Sequence, residues 1–318
     1  MDIVKRECFR PASNGLGEVF TRIIRPEKDE DVRAAVQIAH GMAEHSGRYE
    51  QFGCYLAEQG FAVYANDHAG HGRSVGPAGY FGSVNGWQNM VEDMRTLTEG
   101  FMKKDVPTVP VFLIGHSMGS MLARSYMARY ARTLSGVVLI GPPPPNHMAP
   151  FAQDFCHREA VKNGQTEPNP TIMKAMSHTF NRQIRQAESP NEWICRDESV
   201  VQAFDGDPMC GFPFTNRGYY DLVTGLKDIT GREWARQVPD ELPVLILAGK
   251  EDAVAGYGSA PKRIARQLRE GGVHSVTTKV YEGARHELLN ELNRQEVYED
   301  IRGWLNGILS GEEKSAQS

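Results

Sequence analysis

Six short runs of apolar and β-branched residues punctuate the chain, at 34–40 (AAVQIAH), 61–67 (FAVYAND), 109–114 (VPVFLI), 136–140 (GVVLI), 243–248 (PVLILA) and 275–281 (SVTTKVY). Most lack the strict polar alternation of a half-exposed strand, so they read as strands buried on both faces. Between them lie longer amphipathic stretches at 48–59, 85–103, 118–131, 259–270 and 290–308, which carry helical periodicity. Strand and helix in alternation predict a mostly parallel sheet wrapped by helices on both faces. A further strand is expected at 18–24 (EVFTRII), ahead of the acidic turn PEKDED. The last dozen residues, GEEKSAQS and its neighbours, are polar and are expected to fray.

One region breaks the rhythm. From Gly141 to about Tyr220 no buried strand stands out, and the region opens on GPPPPNHMAP, which can neither continue a helix nor enter a central strand. Large apolar residues follow at helical intervals: Phe151, Phe155, Met173, Met176, Phe180, Trp193, Phe204 and Phe212. The region is too long for an ordinary connection. It reads as a helical cap at 143–220, inserted into a core formed by 1–142 and 221–318, the alternative being that it is extra core. Insertions on the carboxyl edge of such a sheet cover the ligand crevice.

The segment VPVFLIGHSMGSMLARSYMARY carries the clearest chemical signal. A buried strand, a G-x-S-x-G motif (Gly115-His116-Ser117-Met118-Gly119) and a helix follow one another directly. A chain that turns so sharply needs glycines on either side of the serine, and it lifts the Ser117 hydroxyl above the sheet at a helix N-terminus. That is the nucleophile turn of the α/β-hydrolase fold. His116 reads as a packing residue. A serine needs a base, and in this fold the acid and then the histidine follow on loops after later strands. Strand 243–248 runs into Gly249-Lys250-Glu251-Asp252, and strand 275–281 into Glu282-Gly283-Ala284-Arg285-His286. His286 is therefore the expected base and Asp252 the expected acid, with Glu251 as a second choice; Glu287 cannot reach its own neighbour's Nδ1. An oxyanion hole requires two backbone N–H groups. One is expected from Met118, after the nucleophile, and one from Met42, where Gly41 lets the loop after strand 34–40 turn.

HGMAEHSGRY (40–49), YANDHAGHGRS (64–74), LIGHSMGS (113–120), GKEDAV (249–254) and YEGARHELLNE (281–291) together resemble the monoacylglycerol lipase and lysophospholipase branch of the α/β-hydrolases. EWICRDESVVQAFDGDPMCGFPFT (192–215) resembles the cap of bacterial members. The likeness runs from about residue 15 to 308. It implies the triad Ser117, Asp252 and His286, the oxyanion amides of Met42 and Met118, and a loop-shaping role for Asp67 and His71. Ala253 departs from the proline that many relatives carry after the acid. No substrate-contacting cap residue carries over.

The expected activity is hydrolysis of a lipid-like ester through an acyl-enzyme on Ser117, with a monoacylglycerol as leading substrate. A lysophospholipid and a short-chain ester are the alternatives. An aminopeptidase on the same fold would need cap carboxylates such as Glu159, Glu188, Glu192 or Asp197 to hold an amine. A non-catalytic binding module would normally have lost part of the triad. No cofactor is expected, and no metal, because no H-E-x-x-H or similar histidine spacing occurs. With a net charge of −5, no clustered basic face for nucleic acid is expected. The first residues, MDIVKRECFRPASNG, lack an apolar signal-peptide core, and no run is long enough to span a membrane, so at most peripheral membrane contact through the cap is expected. Five scattered cysteines without CxxC pairing suggest free thiols and a cytoplasmic location. Oligomeric state leaves no mark in the sequence.

Overall fold

The computed structural model describes residues 1–311. Eight strands form one sheet in the order β1-β2-β4-β3-β5-β6-β7-β8. They are β1 (Ile3–Pro11), β2 (Glu18–Pro26), β3 (Ala34–Ala39), β4 (Phe61–Asn66), β5 (Val111–His116), β6 (Gly136–Ile140), β7 (Val244–Gly249) and β8 (Val276–Tyr281). From β4 through β3 to β8 every pairing is parallel, while β1 and β2 add an antiparallel edge. Every residue of β3 to β7 is buried, as their unbroken apolar runs require. β1 is absent from the expected strands for a physical reason. Its sequence IVKRECFRP mixes charge into an edge strand whose residues stay mostly exposed or half-buried, so no apolar run marks it.

Helices cover both faces. On one side α1 (Glu50–Glu58) and α10 (Arg294–Ser310) bury Phe52, Leu56, Val297, Ile301 and Leu305 against the sheet. On the other, α2 (Gly86–Arg95), α4 (Met118–Tyr130) and α9 (Ala260–Gly271) bury Met90, Met94, Leu122, Ile264 and Leu268. α2 continues through a π-helical stretch, Thr96–Met102, into the short turn α3 (Lys103–Asp105). Each fully buried aliphatic or aromatic side chain contributes about 1.5–3 kcal/mol relative to exposure, so these two layers dominate the favourable side of folding. α10 runs to Ser310, so the tail expected to fray is helical at its start; the rest of it lies outside the described residues.

Between β6 and β7 the chain makes no strand. It carries α5 (Ala149–Asn163), α6 (Pro170–Asn181), α7 (Glu198–Gly206) and α8 (Asn216–Asp228). α8 also packs against α2 and α4, which anchors this segment to the sheet. Its entrance is the proline strap, whose carbonyls are held by arginines: Arg124 donates to Pro143 at 3.1 Å and Arg263 to Pro145 at 2.8 Å. Ile194, Cys195, Val201, Phe204 and Cys210 form a small core of their own. All five cysteines are free, three of them buried.

The loop after β4 is ordered as the resemblance implied. Asp67 accepts the N–H of Ser46 at 2.7 Å and of Arg73 at 2.8 Å, and its own carbonyl accepts Ser74 Oγ–H at 2.6 Å. His71 is buried among Phe81, Phe212 and Phe214. Burial, reinforced by the nearby His40, pushes its pKa down to about 3. The unfolded chain therefore takes up a proton below pH ~6.5 that the folded chain refuses until about 3, and His71 costs stability over that window as pH falls. The destabilisation caused by His71→Asn should accordingly shrink by roughly 2 kcal/mol between pH 7.5 and 5 in urea denaturation. A cost independent of pH would contradict a neutral buried His71.

Candidate active site

β5 passes into α4 through Ser117, whose φ of +52° and ψ of −116° are strained for a residue with a side chain. The flanking glycines are dictated by contact. A Cβ on Gly119 would stand 2.0 Å from the Ala39 carbonyl oxygen, and one on Gly115 would stand 2.4 Å from that of Gly119. The turn thus presses the start of α4 onto the carboxyl end of β3.

The loops after β7 and β8 bring the expected partners together. His286 Nδ1–H donates to Asp252 Oδ2 at 2.9 Å, with both side chains buried. The other carboxylate oxygen, Oδ1, accepts the N–H groups of Val254 and Ala255 at 2.9 and 3.1 Å. The amide of residue 253 takes no part, so Ala253 serves this turn as a proline would. Glu251 is exposed. Gly141, at φ +55°, lets the backbone close over the pair; a Cβ there would lie 3.0 Å from the His286 ring. His286 Nε2 is buried and has no protein partner. It faces the same cavity as Ser117.

That cavity, about 350 Å³, is lined by Ser117, His286, Met42 and Met118 among others. Neither the Met42 nor the Met118 backbone N–H has a backbone acceptor among the described residues, and Met118 opens α4, where the helix dipole favours negative charge. The wall also holds Glu44, Glu287 and Asn191 but is mostly apolar, with Ile172, Met173, Met176, Phe180, Leu222 and Leu226 prominent. Of the eight large apolar residues singled out between β6 and β7, Phe155, Met173, Met176, Phe180, Trp193 and Phe204 line it. Phe151 instead points to solvent at 70% exposure, and Phe212 packs on His71. Trp193 lies against His286, with ring centroids 5.1 Å apart. A larger depression of about 660 Å³ sits among Pro110, Ser135, Pro243 and Ser275, at the amino ends of the strands. Ligands of parallel α/β sheets bind at the opposite end.

Sequence reading missed the charged layer behind the cavity. Arg48 pairs with Glu44 at 2.8 Å and with Glu287 at 2.6 Å, all three side chains being nearly buried. His116 is more than a packing residue: its Nδ1 lies 3.1 Å from Glu44 and 2.9 Å from the Tyr49 hydroxyl, and its ring lies 4.7 Å from that of His286. Burial disfavours the His116 cation, but the hydrogen bond and charge of Glu44 outweigh it and raise the pKa. Burial likewise works against the Glu44 carboxylate, and His116 and Arg48 together hold its pKa well below the usual range. The sole hint in the sequence was the density of polar residues in HGMAEHSGRY.

Among the described residues, His45, Asp207 and Cys210 are the group whose ligand atoms come within 4.8 Å of one another. His45 Nε2–H already donates to Asp207 at 3.0 Å, and its Nδ1 accepts the Gly47 N–H at 3.2 Å. Both ring nitrogens are thus spent, Nδ1 within its own loop and Nε2 on joining that loop to the β6–β7 segment, a link repeated by Gly211 N–H to the Ala43 carbonyl at 2.9 Å.

A hydroxyl, an imidazole with a bare Nε2, a carboxylate on its Nδ1 and two unpaired amides around one cavity suit acyl transfer. In these roles Ser117→Ala should fold normally and lose several orders of magnitude in kcat. Asp252→Asn should cost far more than Glu251→Gln, because only the Nδ1 partner sets the tautomer. Steady-state ester hydrolysis checks both, and the reverse ranking would move the acid to Glu251.

The family model described as "Serine aminopeptidase, S33" matches residues 30–293. The "Monoacylglycerol lipase" of Mycolicibacterium smegmatis is 31% identical over 280 residues, covering 87% of this chain and 89% of the relative. The "Monoglyceride lipase" of Homo sapiens is 26% identical over 279 residues, covering 86% and 82%. Among solved structures, a highly thermostable carboxyl esterase from Bacillus coagulans in complex with glycerol superposes with a TM-score of 0.89 at 33% identity, covering 96% of this chain and 99% of that one.

Proposed function

The chain belongs to the serine aminopeptidase S33 family of α/β-hydrolases, and from that premise we propose that it hydrolyses a lipid-like carboxylic ester, foremost a monoacylglycerol, through an acyl-enzyme on Ser117. His286 takes the Ser117 proton and returns it to the leaving alcohol, and Asp252 keeps the imidazole in the tautomer that does so. The N–H groups of Met42 and Met118 hold the oxyanion. Water activated by His286 then releases the acid. Residues 143–220 act as the cap over a core of 1–142 and 221–318, and the cap makes any contact with a lipid surface. No helix among the described residues is long and apolar enough to cross a membrane. The free thiols support a cytoplasmic site of action.

The observation that carries the substrate class is the mostly apolar wall of the cavity that Ser117 and His286 line. The aminopeptidase alternative needs a free carboxylate beside the scissile bond. Glu159, Glu188, Glu192 and Asp197 lie outside the cavity wall, and the two carboxylates in it, Glu44 and Glu287, are already engaged in ion pairs with Arg48. An amine-holding site is therefore disfavoured.

Each methylene that leaves water for the apolar wall contributes about 0.8 kcal/mol. Accordingly kcat/KM should rise from acetate to roughly C8–C12 p-nitrophenyl esters. Replacing Phe155 and Met176 with Ser should flatten that rise more than it harms acetate hydrolysis. Monoolein and lysophosphatidylcholine in the same series rank the two head groups, and an aminoacyl anilide should turn over poorly. A profile falling steadily from C2 would discard the lipid-ester reading in favour of a small-ester hydrolase.

A further inference from the structure

Both polar groups of Gly41 are gripped by buried side chains. Its N–H donates to Glu44 Oε1 at 2.6 Å, and its carbonyl accepts from His40 Nδ1–H at 2.8 Å. The second bond reaches beyond Gly41 itself. The Gly41 carbonyl and the Met42 N–H belong to one planar trans peptide and point in opposite directions, so whatever fixes the first fixes the second.

This peptide needs fixing. Gly41 has no Cβ to restrict it, and a Cβ there would stand 2.6 Å from Glu44 Oε1 and 3.2 Å from Ser117 Cβ, so no larger residue can stiffen the turn. A peptide that follows a glycine can flip at smaller cost than one that follows a residue with a Cβ, because the glycine backbone is little restricted. The flipped form would turn a carbonyl oxygen towards the place where negative charge develops, which removes a donor and adds a repulsion.

His40 is equipped to prevent that. The His68 N–H donates to its Nε2 at 2.9 Å, so the proton must reside on Nδ1, the nitrogen facing the Gly41 carbonyl. Burial lowers the pKa of His40 despite the nearby carboxylates of Asp67 and Glu44, which keeps the ring neutral and this tautomer in place. We propose that His40, which holds the Gly41–Met42 peptide, and Glu44, which holds the preceding His40–Gly41 peptide, are positioning residues that keep the Met42 N–H turned into the Ser117 cavity, so that the oxyanion hole exists before substrate arrives. The inference rests on the ester-hydrolase reading and deepens it, since it assigns the work of two side chains outside the triad.

The test compares wild type with His40→Ala, His40→Gln, Glu44→Ala and Glu44→Gln, using p-nitrophenyl octanoate and a reversible alkyl trifluoromethyl ketone, whose adduct places an oxyanion in the hole. His40→Ala should lower kcat about 10- to 100-fold with KM within about threefold, and weaken ketone inhibition by the same factor as kcat. His40→Gln restores a donor and should recover part of the loss. Glu44→Gln keeps an acceptor for the Gly41 N–H and should outperform Glu44→Ala. Thermal midpoints verify folding, and His40→Gln and Glu44→Ala carry the test if His40→Ala does not fold. Folded variants with unchanged kcat overturn the inference, as does a fall in kcat without a matching loss of ketone affinity. An inactive wild type would instead overturn the ester-hydrolase reading and the inference with it.

Discussion

Everything at the carboxyl edge of the sheet is arranged around the turn at Ser117. A strand that becomes a helix within one residue brings α4 hard against β3, to the point that a single methyl group on Gly119 would overlap the Ala39 carbonyl. Ser117 is left in a conformation that costs on the order of 1–3 kcal/mol and persists because buried strands on either side over-determine it. The same closeness places the loop after β3 beside the nucleophile. With β6, β7 and β8 following in order on the other side, their loops supply Gly141, Asp252 and His286 to the same point. The chemistry proposed for the chain is thus a consequence of strand order and one strained dihedral pair.

A second layer holds the first. Arg48 lies between Glu44 and Glu287, and removing one partner from such a buried pair leaves a charge uncompensated, an effect of about 3–5 kcal/mol. Glu287 belongs to the His286 loop and Glu44 to the loop of Met42, so one guanidinium ties base and oxyanion loops together. The segment between β6 and β7 joins the same assembly. Glu287 N–H donates to the Ile194 carbonyl at 2.7 Å, Arg285 to those of Glu192 and Cys195, and Arg48 lies over Phe204.

The parallel strands were legible because burial on both faces forces continuous apolar runs, as in AAVQIA and VLILAG. β1 was not, since an edge strand can carry Lys5, Arg6 and Glu7 without penalty. Ser117, Asp252 and His286 could be read from their places after strands, and the two glycines from the turn. The roles of Glu44, Arg48 and His116 could not. A charged residue in a short segment has the same appearance whether its partner is water or a buried ion 239 positions away, as Glu287 is from Arg48. Cap residues showed as a density of Phe and Met, but which of them face the cavity depends on helix placement; Phe155 lines it and Phe151 does not.

The central claim is a covalent acyl intermediate on Ser117. Wild-type protein mixed with p-nitrophenyl dodecanoate, quenched in acid within the first turnovers and digested, should show one dodecanoyl group on the peptide that carries Ser117. The same peptide from His286→Ala should remain unmodified on that timescale. Acylation at another residue, or steady hydrolysis by a wild type whose Ser117 peptide never gains mass, would contradict the account.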